Sequence, residues 1–150
     1  MTHERIKRMF EVNVFGSFLC AREAVKRMST RYPGGEGGAI VNVSSAAARL
    51  GAPGQYVDYA AAKGAIDTFT IGLAKEVASE GIRVNAVRPG IIETDIHASG
   101  GLPNRVRDLA PLVPMQRAGS AHEVAESIIW LLSEKSSYTT GTLLDISGGR

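Results

Sequence analysis

Between Thr2 and about Ser29, apolar or small side chains return at Ile6, Phe10, Ser17, Ala21, Ala24 and Met28, the three-and-four spacing of one helix face. This spacing predicts a long amphipathic helix, ended by Pro33 and the run Gly34-Gly35-Glu36-Gly37-Gly38. Ala39-Ile40-Val41-Asn42-Val43-Ser44 then gives a short β-branched run without clear alternation, which suits a strand buried on both faces of a parallel sheet. Gly51, Pro53 and Gly54 mark a loop. An alanine-rich, helix-favouring stretch follows from Val57 to Ser79 and stops at Gly81.

Ile82-Arg83-Val84-Asn85-Ala86-Val87 forms a second predicted strand, closed by Pro89-Gly90. Residues 94–118 hold three prolines, two glycines in tandem and no sustained period, which predicts a long excursion with room for a short helix. Ser120 with Glu123 fits a capping box opening a third helix, with Val124, Ile128, Leu131 and Leu132 on its apolar side. Leu143-Leu144-Asp145-Ile146, before Gly148-Gly149, completes the series as a third strand. Helices and strands alternate throughout. That order requires right-handed crossovers and a parallel sheet covered by helices on both faces, an α/β architecture of three strands and three main helices.

At 150 residues the chain has the length of one domain, and its 44% hydrophobic and 21% charged residues are those of a globular protein. A net charge of +2 argues against a dedicated nucleic-acid or anionic-membrane binder. Cys20 is the only cysteine, which excludes a disulfide framework and points to a cytoplasmic compartment. Glu11 and Asn13 interrupt the apolar stretch that would make the N-terminus a signal peptide, and the longest apolar run, Ile128 to Leu132, is far too short to span a bilayer. His3, His97 and His122 lack ligand spacing, so no metal site is expected. Glu93 with Asp95, and Arg105 with Arg107, suit a solvated loop better than a two-carboxylate hydrolase site or an anion site.

The strongest chemical signal is Tyr59-Ala60-Ala61-Ala62-Lys63, which stacks a tyrosine and a lysine on one helix face. A phenol with an ordinary pKa near 10 needs a neighbouring cation before it can exchange protons at neutral pH. At about 6 Å and an effective dielectric of about 20, lysine supplies roughly 3 kcal/mol, or about two pH units. Val43-Ser44-Ser45 ends one predicted strand and Pro89-Gly90-Ile91-Ile92-Glu93-Thr94 follows another, on the sheet edge where α/β proteins bind ligands. Asn13 falls on the apolar stripe between Phe10 and Ser17, where its amide requires a partner; a helix-to-backbone hydrogen bond is the simplest one.

Asn42-Val43-Ser44-Ser45, Tyr59-x-x-x-Lys63, Arg83-Val84-Asn85-Ala86-Val87-x-Pro89-Gly90-x-x-x-Thr94, Arg117-x-Gly119 and the terminal Thr140-Gly141-x-x-Leu144-x-x-x-Gly148-Gly149 occur in order along the chain. Together they resemble the short-chain dehydrogenase/reductase family. The resemblance implies that Tyr59 is the general acid/base on the substrate oxygen, and that Lys63 lowers its pKa and holds the nicotinamide ribose. Ser45 rather than Ser44 would hydrogen-bond the substrate oxygen. Asn13, within Asn13-Val14-Phe15-Gly16, would hold a water in the proton relay. Pro89 and Gly90 would shape the turn beside the nicotinamide, the Ile92 backbone would meet its carboxamide, and Thr94 would reach that amide or the diphosphate. Tyr56 is not the acid/base, because position 60 is Ala.

The family's glycine-rich diphosphate turn has no counterpart here, since the Gly34 to Gly38 cluster precedes a strand instead of following one. The chain is therefore expected to be a single partial domain, 1–150, the C-terminal half of a doubly wound Rossmann fold. The resemblance implies NAD or NADP as cofactor, a small carbonyl or alcohol substrate, and a homodimer or homotetramer, with the isolated chain inactive. Two alternatives stand beside it: a non-catalytic dimerisation or partner-binding module, and a relative performing epimerisation or dehydration. A half-domain is also expected to expose the edge strand Ala39 to Ser44, which favours association.

Overall fold

A computed structural model describes residues 1–94 and 104–150. The first helix comes in three pieces: α1 (His3–Phe10), a π-helical turn (Glu11–Phe15) and α2 (Gly16–Met28). The sequence-derived stripe holds across the π turn: Ala21 is buried, Phe10, Ser17, Ala24 and Met28 are half-buried, and Ile6, at the far end, is exposed. Val14, within the π turn, is buried as well. Thr2 caps α1 by accepting from the Arg5 N–H.

The strands and helices follow as β1 (Gly38–Val43), α3 (Ala47–Leu50), α4 (Val57–Val77), β2 (Ile82–Pro89), β3 (Ile92–Glu93), α5 (Arg105–Leu109), β4 (Gly119–Ser120), α6 (Ala121–Leu132) and β5 (Leu143–Ile146). β1, β2 and β5 form a parallel sheet in that order, with Ile40 opposite Val84 and Val87 opposite Leu144. The predicted α/β architecture is thus observed. β3 and β4 make a further two-stranded parallel pairing, Ile92 to Gly119, that the sequence pattern does not announce and that clasps the base of the 94–118 excursion. Asp95 and His97 lie outside the described residues.

Alternation along β2 sends its side chains to two cores. Ile82 and Val84 pack with Ala74 and Val77 of α4 and with Val25 and Met28 of α2; Val87 faces Val124 and Leu131 of α6. Two polar residues of β2 are fixed by the chain leading into β5. Asn85, fully buried, donates to Thr139 O at 2.8 Å and accepts from the Thr142 N–H at 3.0 Å. Arg83 caps the end of α6 by donating to Leu131 O at 2.8 Å and Ser133 O at 3.1 Å. The capping box holds as predicted: the Glu123 N–H donates to Ser120 Oγ and the Ser120 N–H to Glu123 Oε2.

Candidate active site

The carboxyl end of β1 and the first two turns of α4 meet at one sheet edge. Lys63 Nζ donates to the last strand carbonyl, Val43 O, at 2.8 Å, and lies 5.6 Å from the centre of the Tyr59 ring. Ser45, two residues beyond that carbonyl, lies close enough to the Tyr59 phenol to lower its pKa and accepts from the Ala47 N–H at 3.1 Å. Ser44 points the other way: it is buried, and its hydroxyl donates to Lys63 O at 3.1 Å. Ser45, Tyr59 and Lys63 therefore share one site, and Ser44 supports it from behind.

Burial pushes the Tyr59 phenol above its ordinary value, and the neighbouring Ser45 side chain pulls it partly back. Burial, and not the lowering expected from Lys63, governs the phenol here. Burial also depresses Lys63, with the Asp67 carboxylate opposing that effect.

A salt bridge invisible to local pattern fixes the start of α4. Arg5 reaches from α1 to the buried Asp58, Nε to Oδ2 at 2.5 Å and Nη2 to Oδ1 at 3.3 Å, and Asp58 Oδ1 accepts the Tyr59 N–H at 2.9 Å. Arg5 holds the Asp58 carboxyl below the usual carboxylate range. Tyr56 lies just ahead of α4, its ring 5.9 Å from the Arg5 guanidinium and 5.5 Å from that of Arg105.

Asn13 sits in the π turn, half-buried, and donates to Met9 O at 3.0 Å. This is the simple helix-to-backbone bond; its amide makes no hydrogen bond to Ser45, Tyr59 or Lys63. The π turn that carries Asn13 is visible only in the structure; such bulges cluster at functional sites.

Pro89, Gly90, Ile92 and Thr94 line the adjoining stretch of the edge. Pro89 O accepts from the Ala46 N–H at 3.0 Å and the Gly90 N–H donates to Ile146 O at 2.9 Å, tying the ends of β1, β2 and β5 together. Gly90 is required by close approach: a Cβ there would lie 2.8 Å from Ser147 Cα. Ile92 is half-buried within β3 and Thr94 is exposed. A groove of about 630 Å³ opens here, lined by Ile91, Ile92, Arg117, Asp145 and Ser147. It abuts the ends of β2 and β5, and Ser45, Tyr59 and Lys63 are not part of its lining.

A family model described as enoyl-(acyl carrier protein) reductase matches residues 1–150. The chain belongs to the short-chain dehydrogenase/reductase family. The Escherichia coli (strain K12) oxidoreductase YgfF, itself uncharacterized, is 63% identical over 150 residues, covering 100% of this chain and 60% of that protein. A glucose and ribitol dehydrogenase homolog from Oryza sativa subsp. japonica is 43% identical over 99% of this chain and 50% of its own length. Among solved structures, acetoin dehydrogenase YohF from Salmonella typhimurium superposes with a TM-score of 0.84 at 39% identity, covering 99% of this chain and 56% of that one. ElxO with NADP bound gives 0.85 at 33% identity, with 99% and 59% covered. The family's members here are oxidoreductases, and the chain spans about half the length of the curated relatives it matches.

Proposed function

We propose that residues 1–150 form the catalytic half of a nicotinamide-dependent oxidoreductase that interconverts a carbonyl and an alcohol. One observation carries the reading: Ser45, Tyr59 and Lys63 converge where β1 ends and α4 begins. In the reductive direction Tyr59 gives its phenolic proton to the carbonyl oxygen, and in the oxidative direction it takes the alcohol proton. Ser45, next to the phenol, orients the substrate oxygen beside it. Lys63 contributes positive charge next to the phenolate that forms.

The donors at this edge suit the nicotinamide end of NAD or NADP: an ammonium and a phenol for ribose hydroxyls, and the backbone and hydroxyl groups of Ile92 and Thr94 beyond Pro89 and Gly90. That group, when bound, supplies or accepts the hydride. The reading is supported by the family membership and by ElxO, whose structure holds NADP. Asn13 is assigned to the proton path on resemblance. The relatives' names span acetoin and sugar-alcohol dehydrogenases, so the substrate is assigned only as a carbonyl or alcohol.

The test is Tyr59→Phe in a protein carrying these 150 residues together with an upstream nucleotide-binding half. With NADH and NADPH against a panel of ketones and aldehydes, kcat is expected to fall by about 10²–10⁴, the contribution of a positioned acid/base, with nicotinamide fluorescence still reporting binding. Retained turnover would overturn the assignment.

A second reading, a binding module, is favoured by one feature. β1 lies at the sheet edge among the described residues, flanked by a groove of about 430 Å³ lined by Val12, Gly16, Cys20, Ile40 and Val43. An unpaired strand edge recruits another chain. Light scattering of the 150-residue chain checks this; a monodisperse monomer would count against it.

A further inference from the structure

Tyr59, Lys63 and Asp67 follow one another at four-residue steps along α4 and so share its inner face. Asp67 is 7% exposed. Arg88, on β2, grips one of its oxygens, with Nε and Nη2 at 3.0 and 2.9 Å from Oδ2. The other oxygen, Oδ1, is buried and accepts no hydrogen bond from the protein. A carboxylate fixed on one side and left unspent on the other is a costly way to fill space, because an apolar side chain of similar volume would pack there without an orphaned acceptor.

What the arrangement does supply is a stationary negative charge one helical turn below Lys63. Lys63 Nζ donates instead to Val43 O, at the end of β1 and beside the Tyr59 ring. A direct ion pair would draw the ammonium down the helix and away from the phenol. Held back by Arg88, Asp67 acts on the lysine through space and leaves it where the site needs it. The direction of the electrostatics agrees: burial disfavours the charged lysine, and Asp67 is the group that opposes this.

We propose that Asp67 is a positioning residue for the Tyr59–Lys63 pair, supplying the buried countercharge of the Lys63 ammonium while Arg88 anchors the carboxylate from the sheet side. The proposal rests on the reading of Tyr59 and Lys63 as the proton-handling pair. Three neighbouring acids are paired elsewhere, while Glu4 and Arg8 of α1 and Lys75 and Glu76 further along α4 are exposed to solvent. Asp145 of β5 lies 3.8 Å from Arg88 and 3.7 Å from Arg49 of α3; Asp58 is held by Arg5; Glu11 of the π turn is 3.7 Å from Lys7. Asp67 is thus the acid on the Lys63 stripe with an uncommitted oxygen.

The test is the pH dependence of Lys63 acetylation by trace acetic anhydride, followed on its peptide by mass spectrometry in the 150-residue chain. Because it needs no turnover, its outcome is separable from that of the hydride-transfer reading. In Asp67→Asn the midpoint for Lys63 is expected to fall by about one pH unit, the scale of one lost opposite charge at this range, while the exposed Lys75 keeps its own. In Arg88→Met, which leaves Asp67 unneutralised, the Lys63 midpoint is expected to rise. A purely structural Asp67 would lower the melting temperature and leave both midpoints in place, and that result overturns the proposal. Should Asp67→Asn fail to fold, Arg88→Met decides alone, an unmoved or lowered midpoint being the contrary result.

Discussion

The Arg5 guanidinium meets the Asp58 carboxylate at 2.5 Å, and the next residue along α4 is Tyr59. Helix α1 thereby sets the start of the helix that carries the candidate acid/base. Arg5→Ala strands a buried carboxylate, although the exposed guanidinium is screened by solvent. A Tm loss of about 3 °C is expected at pH 7, the scale of a screened pair in a chain of this size. The sign with pH follows from Asp58, whose folded pKa lies below its ordinary value. Its contribution is present above pH 3.8 and is lost as pH falls through the folded pKa. The gap between wild type and variant therefore narrows in acid; melts at pH 7 and pH 2 with an unchanged gap would contradict this.

Ser44 and Ser45 are neighbours with opposite assignments. Ser44→Ala removes a buried hydroxyl that donates to Lys63 O, at a cost of about 1 kcal/mol. Ser45→Ala is expected to leave stability nearly intact and to raise the ionisation midpoint of Tyr59, because the Ser45 side chain is what offsets its burial. Carbon NMR of labelled tyrosine, with and without each variant, separates the two. A Tyr59 midpoint that moved in Ser44→Ala and not in Ser45→Ala would reverse the assignment.

Local pattern carries the parts of this molecule that local physics determines. Leu143–Ile146 and the Ser120–Glu123 box needed only a short apolar run or capping chemistry at fixed spacing, and the Tyr59–Lys63 stacking follows from helical period alone. The family motifs then located Ser45 and the Pro89-Gly90 turn. What sequence could not display depends on distant partners. The Arg5–Asp58 and Asp67–Arg88 pairs join residues 53 and 21 positions apart, and nothing around any one of the four announces its mate. The π turn at Glu11–Phe15, with the Gly16 N–H donating to Glu11 O, is likewise not written in the apolar spacing, which runs through it unbroken. The phenol's upward shift, opposite to the simple lysine argument, comes from burial, which a spacing rule does not contain.

Two glycines respond to alanine in opposite directions. At Gly90 a Cβ would lie 2.8 Å from Ser147 Cα and 3.1 Å from Ser147 O, both backbone, so the ends of β2 and β5 must separate. Gly90→Ala is expected to cost about 2 kcal/mol, as overpacked sites do. Gly72, inside α4, has nothing within 4 Å of its would-be Cβ. Gly72→Ala is expected to gain about 0.5–1 kcal/mol through helix propensity. Denaturant melts of both variants measure this, and a neutral Gly90→Ala would refute the close-approach account.

The last prediction concerns acid. Arg117 grips Glu123 with Nη1 and Nη2 at 2.9 and 2.7 Å, and the Ser120 N–H adds a third donor at 2.8 Å. With Arg117 as the main cause, the carboxyl is pulled down to about 2 from an ordinary 4.5. A depressed carboxylate stabilises the fold fully above its unfolded value, and that stabilisation is lost as pH falls through the folded one. The window for the Glu123 contribution therefore runs from 4.5 down to about 2. Glu123→Gln keeps the shape but has no proton to bind, so its Tm should fall less steeply across that window than wild type. Asp58 and Glu23, also held low, titrate in both proteins and cancel in the difference. The effect is expected to be concentrated at the start of α6, where, below pH 4.5, the protection of the α6 amides against hydrogen exchange would fall in wild type relative to Glu123→Gln at the same pH. Parallel Tm curves for the two proteins would mean that Arg117 and Glu123 meet at the surface without holding α6 in place.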